Sequence, residues 1–180
     1  MVKTLNTIKT LFKTKIITGI IMRFLFIIYI ICYSYSSAAS EKLITIGWIE
    51  SVRILPEGVN LEAKIDTGAD NSSIGVTKWL SFTKNGSEWV QFSVQGDEGS
   101  TQSFERPLER YALIKRKSTG VLKRPVVKMW LCIGKNKILS QVNLAKRNNF
   151  KYRMLIGRSL LKNNFLVNSA IKLTLDPDCT

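Results

Sequence analysis

From Leu43 to Leu175 the chain is interrupted so often that no long helix fits within it. Short β-prone runs alternate with turn signals: Pro56-Glu57-Gly58, Asn85-Gly86, Lys117-Ser118-Thr119-Gly120 and Gly134-Lys135-Asn136. Trp89–Val94 (WVQFSV) alternates with period two, and Asn85-Gly86 before it closes a hairpin with Leu80–Thr83. The same reasoning predicts strands over Leu43–Ile49, Val59–Ile65, Tyr111–Ile114, Val121–Cys132, Ile138–Leu144 and Met154–Ile156. It predicts a loop over Gln95–Ser103, a brief helix over Arg158–Asn163 and a closing strand over Phe165–Leu175. Many short strands at this spacing imply an all-β domain, either a closed barrel or a sandwich.

The first part of the chain does not fit this pattern. Phe24–Tyr33 (FLFIIYIICY) is an unbroken apolar run, preceded by Lys3, Lys9, Lys13, Lys15 and Arg23 and followed by Ser36, Ser37, Ala38 and Ala39. A basic region, a short apolar core and small residues at a cleavage site describe a secretory signal. Residues 1–39 are therefore expected to be a leader, with Met22 as the natural start, and 40–180 the mature domain, secreted or periplasmic. The alternative is an uncleaved anchor over Ile16–Tyr33, the only route to a membrane that the sequence offers, although Arg23 interrupts it. Removal of the leader leaves Cys132 and Cys179. The expectation is a buried thiol at Cys132 and a stray one at Cys179, close to the end of the chain.

Charge is one-sided. The chain has 27 Lys and Arg against 13 Asp and Glu, a formal net charge of +14, and no acid stands between Arg110 and Leu175. Such a field attracts phosphate, anionic lipid headgroups or acidic peptides, or simply keeps the protein soluble. The aromatic interleaving of a single-strand nucleic-acid platform is missing, so nucleic acid is not the expected partner.

The candidate chemistry lies in Leu61–Ile74 (LEAKIDTGADNSSI). Leu61, Ala63 and Ile65 alternate into Asp66, and Thr67 and Gly68 follow as a turn. Asp66 supplies a carboxylate at a strand end, Thr67 a hydroxyl that can hold the turn, and Gly68 room for a second backbone. Two carboxylates sharing one proton can hydrolyse a peptide, because like charges in contact cannot both ionise. With one Asp-Thr-Gly per chain, the second carboxylate must come from another copy across a two-fold axis.

Asp66–Asp70 (DTGAD) resembles the active-site segment of retroviral-type aspartic proteases, and Leu155-Ile156-Gly157-Arg158 resembles their second signature. Gly47-Trp48, Ala63–Ala69, Arg124-Pro125-Val126-Val127 and Tyr152–Arg158 are similar to a bacterial retropepsin-like family, labelled an ATP-dependent zinc protease and associated with glutamate ligases. The resemblance implies a retropepsin-like closed β-barrel or sandwich with one short C-terminal helix. It further implies a homodimeric aspartic endopeptidase with Asp66 catalytic, Thr67, Gly68 and Ala69 in the active-site turn, and Leu155, Ile156, Gly157 and Arg158 as a supporting loop. Asp70 becomes either a substrate-binding group or a turn cap. The segment Lys115–Arg124 becomes a flap, whose Lys115, Arg116, Lys117, Lys123 and Arg124 would close on an acidic peptide. The rival reading is a non-catalytic module of the same fold that binds a peptide or an anion.

The family label does not suit the residues. There is no histidine, and two cysteines after the leader are too few for a zinc site; a Gly-rich phosphate loop with Lys is missing too. No metal and no cofactor are expected. The sequence also departs from the family in two places. Asp70-Asn71-Ser72-Ser73 replaces an Arg and a Thr-Ser pair, and Lys146-Arg147 stands where relatives carry an acid.

Overall fold

Asp66 is delivered by a strand at the centre of a rolled sheet, and the rest of the fold is best described outward from there. The computed structural model describes residues 19, 21–29, 43–116, 120–147 and 150–179. The chain divides into two units, Met1–Lys42 and Leu43–Thr180. In the first unit residues 21–29 form helix α1, with Phe24 and Phe26 among its exposed side chains. No helix among the described residues is long and apolar enough to cross a membrane. The expected cleavage region, Ser36–Ala39, lies outside the described residues.

The second unit contains β1 (Ile44–Ile46), β2 (Ile49–Leu55), β3 (Val59–Ile65), β4 (Ser72–Gly75), β5 (Trp79–Lys84), β6 (Ser87–Gln95) and β7 (Thr101–Pro107). These are followed by β8 (Arg110–Arg116), β9 (Gly120–Ile133), β10 (Asn136–Ala145), β11 (Met154–Ile156), the one-turn helix α2 (Arg158–Leu161) and β12 (Phe165–Val167). The largest sheet runs β10-β4-β11-β3-β2-β9-β8. Because β9 also pairs with β10, six of these strands form a hydrogen-bonded circuit from which β8 projects. A separate antiparallel sheet, β5-β6-β7, and a parallel pair, β1-β12, complete the fold. The all-β expectation stands. The architecture is a sheet rolled on itself with a second sheet packed on it, rather than one barrel.

Periodicity explains most of this. In β3, Val59, Leu61, Ala63 and Ile65 are buried while Glu62 and Lys64 are exposed. Along β6, Val90, Phe92 and Val94 face inward, and Phe92 stacks on Phe104 of β7 with ring centroids 5.3 Å apart. Both sheets thereby contribute to one core with Leu131, Ile133, Leu144, Met154 and Ile156. Asn85 and Gly86 take positive φ (51° and 73°), the conformation a two-residue hairpin turn requires.

Several expectations are corrected. The run Leu43–Ile49 is broken at Gly47-Trp48 into β1 and β2. The polar segment read as a loop over Gln95–Ser103 contains the start of β7, an edge strand whose buried side chain is Phe104. Strand β4 has serines in two of its four places, yet all four residues are buried between β10 and β11. The helix stops at Leu161, short of Asn163.

The closing strand ends at Val167, where the Asn168 side chain accepts the Ala170 N–H at 2.9 Å and turns the chain; farther on, the carboxylate of Glu50 takes the amides of Thr174 and Leu175. Cys179 is not stray: it is bridged to the buried Cys132. The tail that carries it is held in place, with the Asp178 N–H donating to the Gly134 carbonyl at 2.7 Å.

Candidate active site

The alternation of β3 ends with Ile65 inside, so the next residue must leave the core. Asp66 is accordingly half-buried at the strand end. Its own N–H donates to the carbonyl of Ile156 at 2.9 Å, and the preceding Ile65 N–H donates to Trp48 at 2.9 Å. The Asp66 carbonyl accepts from Ala69 at 3.2 Å, closing the turn. Within that turn Asp66 Oδ1 accepts N–H groups from Gly68 at 3.0 Å and Ala69 at 3.2 Å. The carboxylate is therefore oriented by its own backbone before any ligand arrives.

Gly157-Arg158 braces the turn from behind. Arg158 N–H donates to Ala69 O and Ser159 N–H to Asp70 O, both at 2.9 Å, so the first amides of α2 find partners in the turn. The Arg158 side chain donates through Nη1 to the Thr67 carbonyl at 2.9 Å and pairs through Nη2 with Asp70 Oδ1. Gly157 N–H donates to the buried Ser72 Oγ at 3.2 Å. A Cβ on Gly157 would lie 2.6 Å from the backbone carbon of Asn71, so only glycine lets these two segments touch.

In front of Asp66 lies a cavity of about 500 Å³, within the range of ligand sites. Asp66, Asp70 and Leu155 line it, and the β8–β9 hairpin contributes Ala112, Leu113 and Ile114. Three guanidinium-bearing residues share its wall: Arg110, Arg124 and Arg147. Arg110 is steadied by Gln141 Oε1 at 3.2 Å, and the Arg147 guanidinium lies over Phe150, 4.7 Å from the ring centroid. Burial, and then repulsion from Arg124, holds Arg147 below the usual guanidinium range, while Asp66 offsets part of this. Those causes place the two arginines and the carboxylate in one electrostatic neighbourhood. A second cavity, about 580 Å³, lies behind the turn against Thr67, Arg158, Leu161 and Phe165, and Asp66 does not reach it. Of these two cavities, the Asp66 carboxylate lines the first.

The structure thus brings Asp66, Ala69, Asp70, Leu155 and Arg124 together. Gly68 supplies an amide and Ile156 a carbonyl to Asp66, whereas Thr67 and Arg158 face the second cavity. Lys123, next to Arg124 on β9, is exposed and off the cavity wall, as strand alternation requires. Lys115 and Arg116 end β8, with only their backbone described, and Lys117 lies outside the described residues. Arg110, Asn143 and Arg147 were not singled out from sequence as site residues. The acid-free stretch after Arg110 was the signal for the two arginines; nothing marked Asn143. No group of three or more metal-binding side chains occurs among the described residues.

Residues 45–177 match the family model of the RimB-like proteins, described as retropepsin-like aspartic endopeptidase RimB. The chain belongs to that family. It is also similar to a crystal structure of a Legionella pneumophila protein of unknown function. The match has a TM-score of 0.65 and 28% identity, and it covers 74% of this chain and 98% of that one. Among curated proteins, a Desulfotalea psychrophila "Probable alpha-L-glutamate ligase" is 28% identical over 118 residues, 64% of this chain and 25% of the relative. A Shewanella pealeana protein of the same name is 29% identical over 111 residues, 60% of this chain and 24% of that one. The chain thus spans about a quarter of the length of these relatives.

Proposed function

We propose that this retropepsin-like chain is an aspartic-type endopeptidase acting as a homodimer, with Asp66 of each copy forming the catalytic pair. The observation that carries the reading is the Asp66 carboxylate, fixed by the Gly68 and Ala69 amides and facing a cavity walled by the β8–β9 hairpin. In the pair one carboxyl is protonated and one is not. The unprotonated one takes a proton from water as the water oxygen attacks the scissile carbonyl carbon. The protonated one gives its proton to the carbonyl oxygen. Collapse of the tetrahedral species breaks the C–N bond as the carboxyl that took the water proton gives it to the leaving nitrogen. One diol hydroxyl returns its proton to the other carboxylate, so the pair again shares one proton.

Arg110, Arg124 and Arg147 on the cavity wall favour an acidic peptide as substrate. The arms of the hairpin bound the cavity, which supports a flap role for Lys115–Arg124. The Cys132–Cys179 bridge supports a secreted or periplasmic location, where disulfides persist.

The test is cleavage of a Glu-rich peptide library by the mature protein and by Asp66→Asn. Cleavage by the first and not by the second is expected. Equal cleavage by both would end the reading. Binding of such peptides without hydrolysis would instead favour a non-catalytic module of the same fold.

A further inference from the structure

Glu50 has no part in the peptidase reading, yet its side chain is fully buried and accepts four hydrogen bonds. These come from Gly47 N–H at 2.5 Å, Thr174 N–H at 2.9 Å, Thr174 Oγ1 at 2.6 Å and Leu175 N–H at 3.1 Å. A buried carboxylate with that many donors is a fastening point. It joins the C-terminal tail to the Gly47-Trp48 turn. The tail lies so close there that a Cβ on Gly47 would stand 2.4 Å from the Ile171 carbonyl oxygen. Trp48 N–H donates to Ile171 O at 3.0 Å, and Leu173 N–H to Ile49 O at 2.8 Å. At its far end the tail meets the β9–β10 turn through Asp178 and Gly134, and it is bridged to β9 by Cys132–Cys179.

The Trp48 that the tail holds by its N–H offers its carbonyl to Ile65, the residue before Asp66. Its ring also meets Tyr152 edge-on, with centroids 6.2 Å apart, and Tyr152 shares a cavity of about 300 Å³ with Asp66. A continuous line of contacts therefore runs from the bridge, along the tail, through Trp48 to the catalytic strand end.

We propose that Ile171–Cys179 is a positioning strap for Asp66, fastened by Glu50 and by the Cys132–Cys179 bridge, so that reducing the bridge disarms the site. The catalytic half of this inference rests on the peptidase reading of Asp66. Chain termini fray unless tied down, and among the described residues beyond Val167 no strand pairing holds this one. A dithiol reductant would open the bridge by exchange. Its thiolate attacks one bridge sulfur, and its second thiol displaces the resulting mixed disulfide. Two electrons and two protons pass to Cys132 and Cys179, and the reductant leaves as a cyclic disulfide. A reacting group misplaced by about 1 Å costs about a hundredfold in rate, so a small relaxation of Trp48 is enough.

The test compares the oxidised full chain with the same protein reduced by dithiothreitol, reading amide hydrogen exchange together with kcat and KM. Reduction is expected to raise exchange at Thr174 and Ile65 by about tenfold or more, with the Val90 and Phe104 amides still protected. It should lower kcat by about tenfold while KM changes by less than about twofold, and reoxidation should restore both. Thr174→Val keeps the bridge, removes one donor to Glu50 and should move the same readings in the same direction. Opening at Thr174 with Ile65 and kcat unchanged would overturn the proposal. Loss of protection throughout the chain would also overturn it, because the bridge would then hold the whole fold. If the oxidised protein shows no Asp66-dependent cleavage, the peptidase reading fails by itself, and Ile65 exchange still decides whether the strap holds the strand.

Discussion

Asp66 is constrained from three directions: by Ile156 at its N–H, by Ala69 at its carbonyl and by two turn amides at its carboxylate. Asparagine at that position keeps the oxygen that accepts those amides but cannot act as a base. Asp66→Asn should therefore leave the fold intact and lower kcat by about a thousandfold or more, measured against an acidic peptide. Gly157 is the opposite case, structural rather than chemical. Gly157→Ala places a methyl against the Asn71 backbone and should destabilise by about 1–3 kcal/mol in urea denaturation. Asp66 was legible because the alternation of Leu61, Ala63 and Ile65 expels the next side chain from the core. Arg147 and Glu50 were not. The role of each depends on which distant segment lies against it, Asp66 and Arg124 for one and the Thr174 amide for the other.

At the scale of elements, the β8–β9 hairpin walls the cavity that Asp66 faces. Strand alternation turns Arg124 toward Asp66 and Lys123 away. Arg124→Gln should raise KM for a Glu-rich peptide by about tenfold with little change in kcat. That difference should shrink in high salt, because the attraction is screened. Lys123→Gln should change KM much less. The β5-β6-β7 sheet serves the core instead. Phe104→Ala, which removes half of the Phe92–Phe104 stack, should cost about 3–5 kcal/mol by denaturation. Hairpins with clear turn chemistry, such as Asn85-Gly86, could be read from the chain. Strands β4 and β7 could not, because Ser72 and Ser73 are polar residues that the fold buries, and β7 is an edge strand that buries little.

For the whole molecule, the rolled sheet presents one Asp66 per chain, and the proposed chemistry needs two. Fold class was readable because short strands and turns dominate Leu43–Val167. The course of residues 168–179 was not, since Glu50, Gly134 and Cys132, all remote in sequence, hold that tail. The measurement that bears most directly on a shared pair is activity in mixtures of wild-type and Asp66→Asn chains at constant total protein, after subunits have exchanged. If each active site needs Asp66 from both copies, activity falls with the square of the wild-type fraction, to about a quarter in an equal mixture. Activity falling in direct proportion, to about a half, would mean that each chain works alone, and the dimeric dyad would be wrong.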